Sequence, residues 1–268
     1  MLPLGLSLYA HSLRAQHAHL NAGALGTSQN DPLYFANGGD FSASSGYVKT
    51  LTYTNGGTYA GYYQGNITFT VLPATAANAG PDPAAPALGS HIQAGMLSVE
   101  GPPGGNFGFW EAGATNPTFS LASGQSGTNA WRLSESDGSP GSDLYGHIHG
   151  RRFTATEPGI YKVAFKLFDT SANGNNGDPI HTPSDVLAMY FQAGVCIASI
   201  VHTDGATTVT YGSVTNQSFA LEYTTGIDAT NQWIASGASN PGDDLFQSLT
   251  DTNAADAQRF YRIKVSTP

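Results

Sequence analysis

The segment LTYTNGGTYAGYYQGNITFTVL, from Leu51 to Leu72, shows most clearly which fold class this chain adopts. β-branched and aromatic residues are broken by Gly and Asn, a pattern typical of strands joined by hairpins. Asn55-Gly56-Gly57 marks a tight turn within it. The segment therefore predicts β-structure, and the regions on either side extend that prediction.

Strand patterns recur along the rest of the chain. In YKVAFKLF, from Tyr161 to Phe168, Val163, Phe165 and Leu167 fall on one face of a strand while the lysines fall on the other. Segments rich in Pro and Gly at 78–86, 101–105 and 137–142 exclude long helices there. Many short strands at this spacing predict an all-β protein with two antiparallel β-sandwich domains, the N-terminal one larger.

Three regions are expected along the chain. Residues 1–15 have the apolar run MLPLGLSLYA and are predicted to be a signal peptide cleaved after Ala15, too short to span a bilayer. Residues 16–194 are predicted to form the larger, metal-binding sandwich. Residues 195–268 are predicted to form a small β-sandwich module. We therefore expect a protein that is secreted, periplasmic or on the cell surface.

Composition excludes some partners. The formal net charge is −9, and ten Lys and Arg residues form no basic run that would bind nucleic acid. No segment after the N-terminus is apolar enough to predict a membrane span. The single cysteine, Cys196, excludes an intrachain disulfide and a cysteine-rich zinc site, and its apolar neighbours favour an inert, buried thiol.

Four of the eight histidines form two His-x-His pairs, His17 with His19 and His147 with His149. Residues i and i+2 of a strand face the same side, so each pair presents two imidazoles together. Two such pairs supply the four nitrogens of a tetrahedral zinc site. Imidazole also suits copper, which stays open as an alternative metal.

A fifth candidate ligand is His181, which follows the loop sequence NGNNGD and precedes a strand. It would replace one of the four histidines or share a second site with Asp185. His202 is expected to be structural, as is His91, which stays open as a spare ligand. Arg151 and Arg152 follow the second pair and would orient an anion or pair with acids such as Asp143.

Several motifs resemble exported bacterial proteins under the control of the zinc-uptake repressor, many of which carry a PEP-type C-terminal sorting signal. The resemblance covers residues 17–194 and rests on HAHLNAGAL, YAGYYQGNITFTVLPAT, FGFWEAGATNPTFS, YGHIHGRRFTATEPGIY, PIHTPSD and FQAG. It implies zinc handling outside the cytoplasm when zinc is scarce. It also implies metal ligation by His17, His19, His147, His149 and His181. The sequence after Gly194 instead resembles a C-terminal β-module of secreted proteins from Verrucomicrobia-like bacteria.

The leading hypothesis is a non-catalytic zinc scavenger or delivery protein whose partners are the metal ion and a metal-uptake system or cell-surface component. An enzyme with a His-ligated copper or zinc is an alternative, with Glu111 as the candidate base. A calcium site in the loop from Asp169 to Asp178 is a smaller alternative. A glycan-binding or adhesive sandwich is another, and its sugar platforms would be Tyr59, Tyr62, Tyr63, Trp110 and Trp131.

Overall fold

The computed structural model describes residues 19–72, 82–133, 151–228, 230, 232–254 and 258–267. Within these ranges nearly all regular structure is β-strand, which confirms the predicted all-β class. The described helical segments are short: α1 (Gly38–Phe41) and 3₁₀ turns at Ala43–Ser45 and Asn175–Gly177. No helix in the described ranges is long and apolar enough to cross a membrane.

The larger domain contains twelve strands among its described residues, arranged in two sheets. One sheet has the order β2-β1-β5, and the other has the order β8-β7-β10-β4-β3-β12-β11-β6-β9. The strands are β1 (His19–Ala24), β2 (Leu33–Phe35), β3 (Val48–Thr54), β4 (Tyr62–Gly65), β5 (Thr68–Val71), β6 (Ile92–Glu100), β7 (Asn106–Trp110), β8 (Phe119–Ala122), β9 (Ser126–Arg132), β10 (Arg152–Ala155), β11 (Gly159–Asp169) and β12 (Leu187–Ala193).

Two strand pairings in the described part of the larger domain are parallel: β1 with β5, and β3 with β12. The expected antiparallel arrangement does not hold at these two places. Each parallel pair joins strands that are far apart in sequence, so the long crossover connection that parallel pairing requires is available. Hairpin signals report only on neighbouring strands and therefore gave no warning of either pairing.

The nine-stranded sheet curls back on itself. Its two end strands, β8 and β9, are joined by the short turn 123–125. Phe109 of β7 stacks on Trp131 of β9 with ring centroids 4.4 Å apart, although these strands lie at opposite ends of the sheet order. The inward-facing side chains of both ends therefore meet in one apolar core.

Strand β11 illustrates how the sequence determines this core. Tyr161, Val163, Phe165 and Leu167 are fully buried, and the intervening lysines are half-buried on the opposite face. This is the alternation predicted from YKVAFKLF, and it follows from the two-residue period of a strand. Partners β6 and β12 flank β11 on both sides, so its inner face lies at the centre of the domain.

The C-terminal module has its own small core. One sheet has the order β13-β14-β18, and in the other β15 pairs with β16, β17 and β19. The buried apolar side chains are Val209, Tyr211, Phe219, Leu221 and Leu249. The strands are β13 (Ile197–Thr203), β14 (Ala206–Gly212), β15 (Ser218–Thr224), β16 (Ile234–Ala235), β17 (Asn240–Pro241), β18 (Phe246–Asp251) and β19 (Phe260–Ser266).

Backbone hydrogen bonds join the module to the larger domain. The Val48 N–H donates to the Asp244 carbonyl at 2.9 Å, and the Phe246 N–H donates to the Gly46 carbonyl at 2.9 Å. The Phe246 ring meets the Tyr190 ring edge-on, 5.3 Å between centroids. Directional main-chain bonds of this kind fix the orientation of one domain against the other.

Gln192 fixes the connection between the two domains. Its side chain is fully buried, its Nε2 donates to Thr50 Oγ1 at 2.8 Å, and its Oε1 accepts from the Cys196 N–H at 3.1 Å. A Cβ atom at Gly212 would lie 2.3 Å from the Gln192 Oε1, so only glycine leaves room for this amide. The linking segment is therefore held by both domains.

Candidate metal centre

Three of the five predicted ligands, His17, His147 and His149, lie outside the described residues. His19 and His181 are described, and their surroundings differ. No group of three or more His, Cys, Asp or Glu side chains suited to a metal ion occurs within the described ranges. This absence does not bear on the four-histidine site, because His19 is the only one of its four residues that the structure describes.

His19 is the first residue of β1 and is half-buried. Its backbone pairs with Thr68 of β5, and its Nδ1 lies 3.1 Å from the Oγ1 of Thr70 on the same strand. Contact with an oxygen at Nδ1 orients the ring, and histidines that bind a metal commonly have such an oxygen at their second ring nitrogen. His19 remains a predicted ligand.

The start of β1 is fixed independently of any metal. Asn37 donates from Nδ2 to the His19 carbonyl at 2.8 Å and accepts the Asn21 N–H on Oδ1 at 2.8 Å. Both bonds were missed at the level of sequence, as was the hydrogen bond to Thr70. The alternation of Thr68 and Thr70 with apolar residues in NITFTVL was the available signal for a polar strand face beside His19.

After the second His-x-His pair the described chain forms β10, which pairs with β4 and β7. Arg151, the first described residue after that pair, lines a small internal space with Ile67, Phe69 and Phe153. Ile67 directly precedes Thr68, the register partner of His19. Thr68 and Thr70 point to one face of β5 and Phe69 to the other, so His19 and Arg151 lie beside opposite faces of this strand.

Arg151 is held by an ion pair. Its Nε donates to the Glu111 carboxylate, its Nη1 donates to the Arg132 carbonyl at 2.7 Å, and its guanidinium lies 5.9 Å from the centre of the Phe109 ring. The Glu111 carboxylate also accepts the Ala112 N–H at 3.1 Å. Glu111, the residue considered as a catalytic base, is thus committed to a structural ion pair, while Asp143 lies outside the described residues.

His181 is buried, and both of its ring nitrogens have backbone partners. Nδ1 lies 2.9 Å from the Asp31 carbonyl, which can only accept, and Nε2 accepts the Ala87 N–H at 2.9 Å. The ring is therefore the neutral tautomer with its proton on Nδ1. Binding a metal would break one of these bonds, so the geometry gives His181 a structural role instead of the predicted ligand role.

The loop that precedes His181 is organised by a buried carboxylate. Asp169 accepts backbone N–H groups from His91, Ser171 and Ile180 at 2.9 Å, and from His181 at 3.1 Å. Burial alone would raise the pKa of Asp169, but the hydrogen bonds outweigh it and the pKa lies below its ordinary value. These amides occupy the carboxylate, so Asp169 is not placed as a calcium ligand.

The two tryptophans considered as sugar platforms are buried, Trp110 to 1% exposure and Trp131 to 4%. Trp110 donates from Nε1 to Thr154 Oγ1 at 2.9 Å, and the edges of Tyr59 and Tyr62 pack on it at 5.0 and 5.5 Å. A glycan needs an exposed ring face. The two tryptophans therefore serve packing, and of the five side chains considered as sugar platforms only Tyr59, Tyr62 and Tyr63 are partly exposed.

The remaining reactive side chains of the described residues are also engaged. The Cys196 thiol donates to the Ala193 and Gly194 carbonyls, and burial raises its pKa above the ordinary value. His202 bonds to Thr207 through Nδ1 at 2.9 Å. Both side chains have local partners, but Cys196 is half-buried instead of fully buried as predicted.

No protein-family model matches the chain, and a search of curated proteins found no match. Function is therefore argued from the site and from the chemistry of its residues.

Proposed function

We propose that this protein binds one zinc ion outside the cytoplasm through His17, His19, His147 and His149. The observation that carries the proposal is the setting of His19. Its Nδ1 lies 3.1 Å from the Thr70 Oγ1 on β5. Phe69 of the same strand lines a small internal space with Arg151, which follows His149 by two residues. Copper is the alternative metal, because imidazole binds both and copper ranks above zinc in intrinsic affinity.

A shared site requires the second pair to reach the face of β5 that carries Thr68 and Thr70. Neighbouring strands lie about 4.8 Å apart, which sets the backbone separation of His19 and Thr68. His149 precedes Arg151 by two residues, a span of at most about 7 Å. His17 precedes His19 by two residues, so in an extended chain both imidazoles face the same side.

The proposed role is capture or delivery of zinc. Four neutral imidazoles fill a tetrahedral coordination sphere and leave no position for a substrate or water. Glu111, the candidate catalytic base, is paired with Arg151. The resemblance to proteins controlled by the zinc-uptake repressor supports action during zinc scarcity, with a metal-uptake system or a cell-surface component as partner.

Calorimetric titration with zinc tests this proposal. The protein is purified without a polyhistidine tag, stripped with chelator and compared with His17→Ala/His19→Ala and His147→Ala/His149→Ala variants. A His91→Ala/His202→Ala variant is the matched control, because it also loses two histidines. We expect one tight site in the parent and the control, and loss of that site in both test variants.

Two results would overturn the proposal. In one, the parent binds no zinc above background. In the other, either test variant keeps a site of unchanged affinity while circular dichroism shows it folded. A parallel titration with copper decides which metal the site prefers.

A further inference from the structure

Strand β13 is an unprotected edge of the C-terminal module. Among the described strands it pairs only with β14, and all seven of its residues, IASIVHT, are exposed. Exposed edge strands in soluble proteins usually carry charges or proline that discourage pairing with another chain. β13 has neither, and its one irregularity is a bulge between Ile197 and Ser199.

The apolar residues of β13 include core-facing positions. Ile200 lies opposite Val209 on β14, so both side chains point to the same face of the sheet. Val209 is fully buried, whereas Ile200 is 52% exposed. On the inner face of this sheet, the Val209 side chain of β14 is therefore buried and the Ile200 side chain of β13 is exposed to solvent. On the outer face, Val201 is 55% exposed as well.

The other sheet of the module ends differently. Among the described strands β19 pairs only with β15, and it carries Arg262 and Lys264 on its exposed face. Both side chains bond to the Glu222 carboxylate. Self-pairing of β19 about Ile263 would bring these cations together, and like charges directly opposite destabilise a strand pair. β19 is thus protected against self-association in the way that β13 is not.

We propose that β13 is a dimerisation strand that pairs antiparallel with β13 of a second copy of this chain. The strand has no charge that would require a complementary charge on a foreign partner, and no charge that would repel its own copy. A two-fold axis at Ile200 places Ile200 opposite its counterpart and Ser199 opposite Val201. Such an isologous contact closes after two copies and does not propagate.

The pairing gives β13 a second neighbouring strand and covers its exposed apolar side chains. The three-stranded sheet becomes a continuous six-stranded sheet across the two copies, and the edge N–H and C=O groups gain partners. Each Ile200 covers the other beside the buried Val209, which completes the inner face along this seam. The inference rests on the module alone and is independent of the proposed zinc site.

Sedimentation velocity of the full chain tests the proposal, with EDTA present so that no metal bridges two copies. The test variant is Ile200→Lys, which places two ammonium groups opposite each other. Ile234→Lys is the matched control, because Ile234 is also 52% exposed but lies on β16. We expect a dimer for the parent and the control, and a dissociation constant raised by at least about 100-fold in Ile200→Lys.

Cross-linking gives a second measurement that does not depend on a destabilising charge. Directly opposite Cα atoms lie about 4.5–5.5 Å apart in an antiparallel pair, a separation that a disulfide spans. In a Cys196→Ser background, Ile200→Cys should form a covalent dimer on mild oxidation and Ile234→Cys should not. A parent that sediments as a monomer at all concentrations, or equal cross-linking of the two cysteine variants, would overturn the proposal.

Discussion

The larger domain and the C-terminal module differ in the size of their apolar cores and in the ion pairs that lie beside those cores. The larger domain encloses an interlocked set of aromatic rings contributed by strands from both ends of its curled sheet, among them Phe109, Trp131, Phe153 and Phe165. The core of the module contains five buried apolar side chains. Small cores contribute little stability, so the module has to draw on other interactions.

Two ion pairs accompany this core, one of them buried and the other with a half-exposed arginine. Asp251 pairs with Arg259 and accepts the Tyr261 hydroxyl at 3.1 Å, while Glu222 accepts from Arg262 at 2.6 Å. Arg259 and Arg262 also lie over the rings of Tyr223 and Trp233, at 4.0 and 4.3 Å from the ring centres. From this comparison we expect that removing a charged side chain lowers the free energy of unfolding more in the module than in the larger domain. Asp169 is the exception, because it is the buried charge that organises a loop of the larger domain.

The largest expected effect comes from Asp169→Ala. The change leaves four backbone N–H groups without their acceptor, and each unsatisfied buried group costs about 1–3 kcal/mol. We expect the free energy of unfolding to fall by roughly 5 kcal/mol, because partial rearrangement of the loop recovers some of the loss. Urea unfolding followed by circular dichroism measures it.

Asp169→Asn is the matched variant for this prediction. It keeps one oxygen acceptor and places an NH₂ group against backbone donors, so its loss should lie between those of the parent and Asp169→Ala. A loss below about 1 kcal/mol for Asp169→Ala would contradict the organising role of this carboxylate.

Asp251→Ala should destabilise the module and leave the larger domain nearly unchanged. The side chains of Asp251 and Arg259 are only 3% and 9% exposed, so removing the carboxylate leaves a buried guanidinium. Breaking a buried pair in this way costs about 3–5 kcal/mol. Hydrogen exchange should accelerate in peptides from β14, β15 and β18, with β11 as the internal reference. Equal acceleration in β11 would show that the two domains unfold as one unit.

Acid should destabilise the module through Asp251 and Glu222, and the larger domain through Asp169. Burial raises the pKa of Asp251 and of Glu222, but hydrogen bonds from Asn253 and Arg259 to Asp251, and from Arg262 and Lys264 to Glu222, leave each pKa below its ordinary value. The stability from such groups is complete above their unfolded pKa values, near 4, and is lost as the pH falls through the folded values. Hydrogen exchange between pH 6 and pH 2, read in β14, β15 and β18 and in β11, measures the loss in each domain.

The smallest effect on stability is expected for Thr70→Val. The change removes one half-buried hydrogen bond, which contributes about 0.5–1.5 kcal/mol. Loss of such an orienting partner lowers metal affinity by about 10–100-fold. Thr208→Val is the control, because it removes a similar bond to Thr250 in the module. Unchanged zinc affinity in Thr70→Val would show that Thr70 does not position a metal ligand.

Local sequence pattern was sufficient for the all-β class of the fold and for the face that β11 buries. The alternation in β11 and the breakers at Gly101 and Pro102 are properties of neighbouring residues. The pairing of β1 with β5 was not predictable in this way, because it joins residues such as His19 and Thr68 that are far apart in sequence.

The roles of individual polar residues were also beyond local pattern. His181 has ring partners at Asp31 and Ala87, which precede it by 150 and 94 residues. Trp110 is a residue type that can bind sugars, but in the fold it is buried and the rings of Tyr59 and Tyr62 pack against it. Sequence spacing identifies residues that can bind a metal or a sugar. Tertiary contacts decide which of these side chains are instead buried or hydrogen-bonded within the fold.

X-ray absorption spectroscopy of the zinc-loaded protein tests the central claim most directly, because it counts the atoms around the metal. The account predicts four imidazole nitrogens at about 2.0–2.1 Å, and two in each of the double His-x-His variants if zinc is retained. A first shell composed mainly of oxygen, or an imidazole count that is unchanged in those variants, would contradict it.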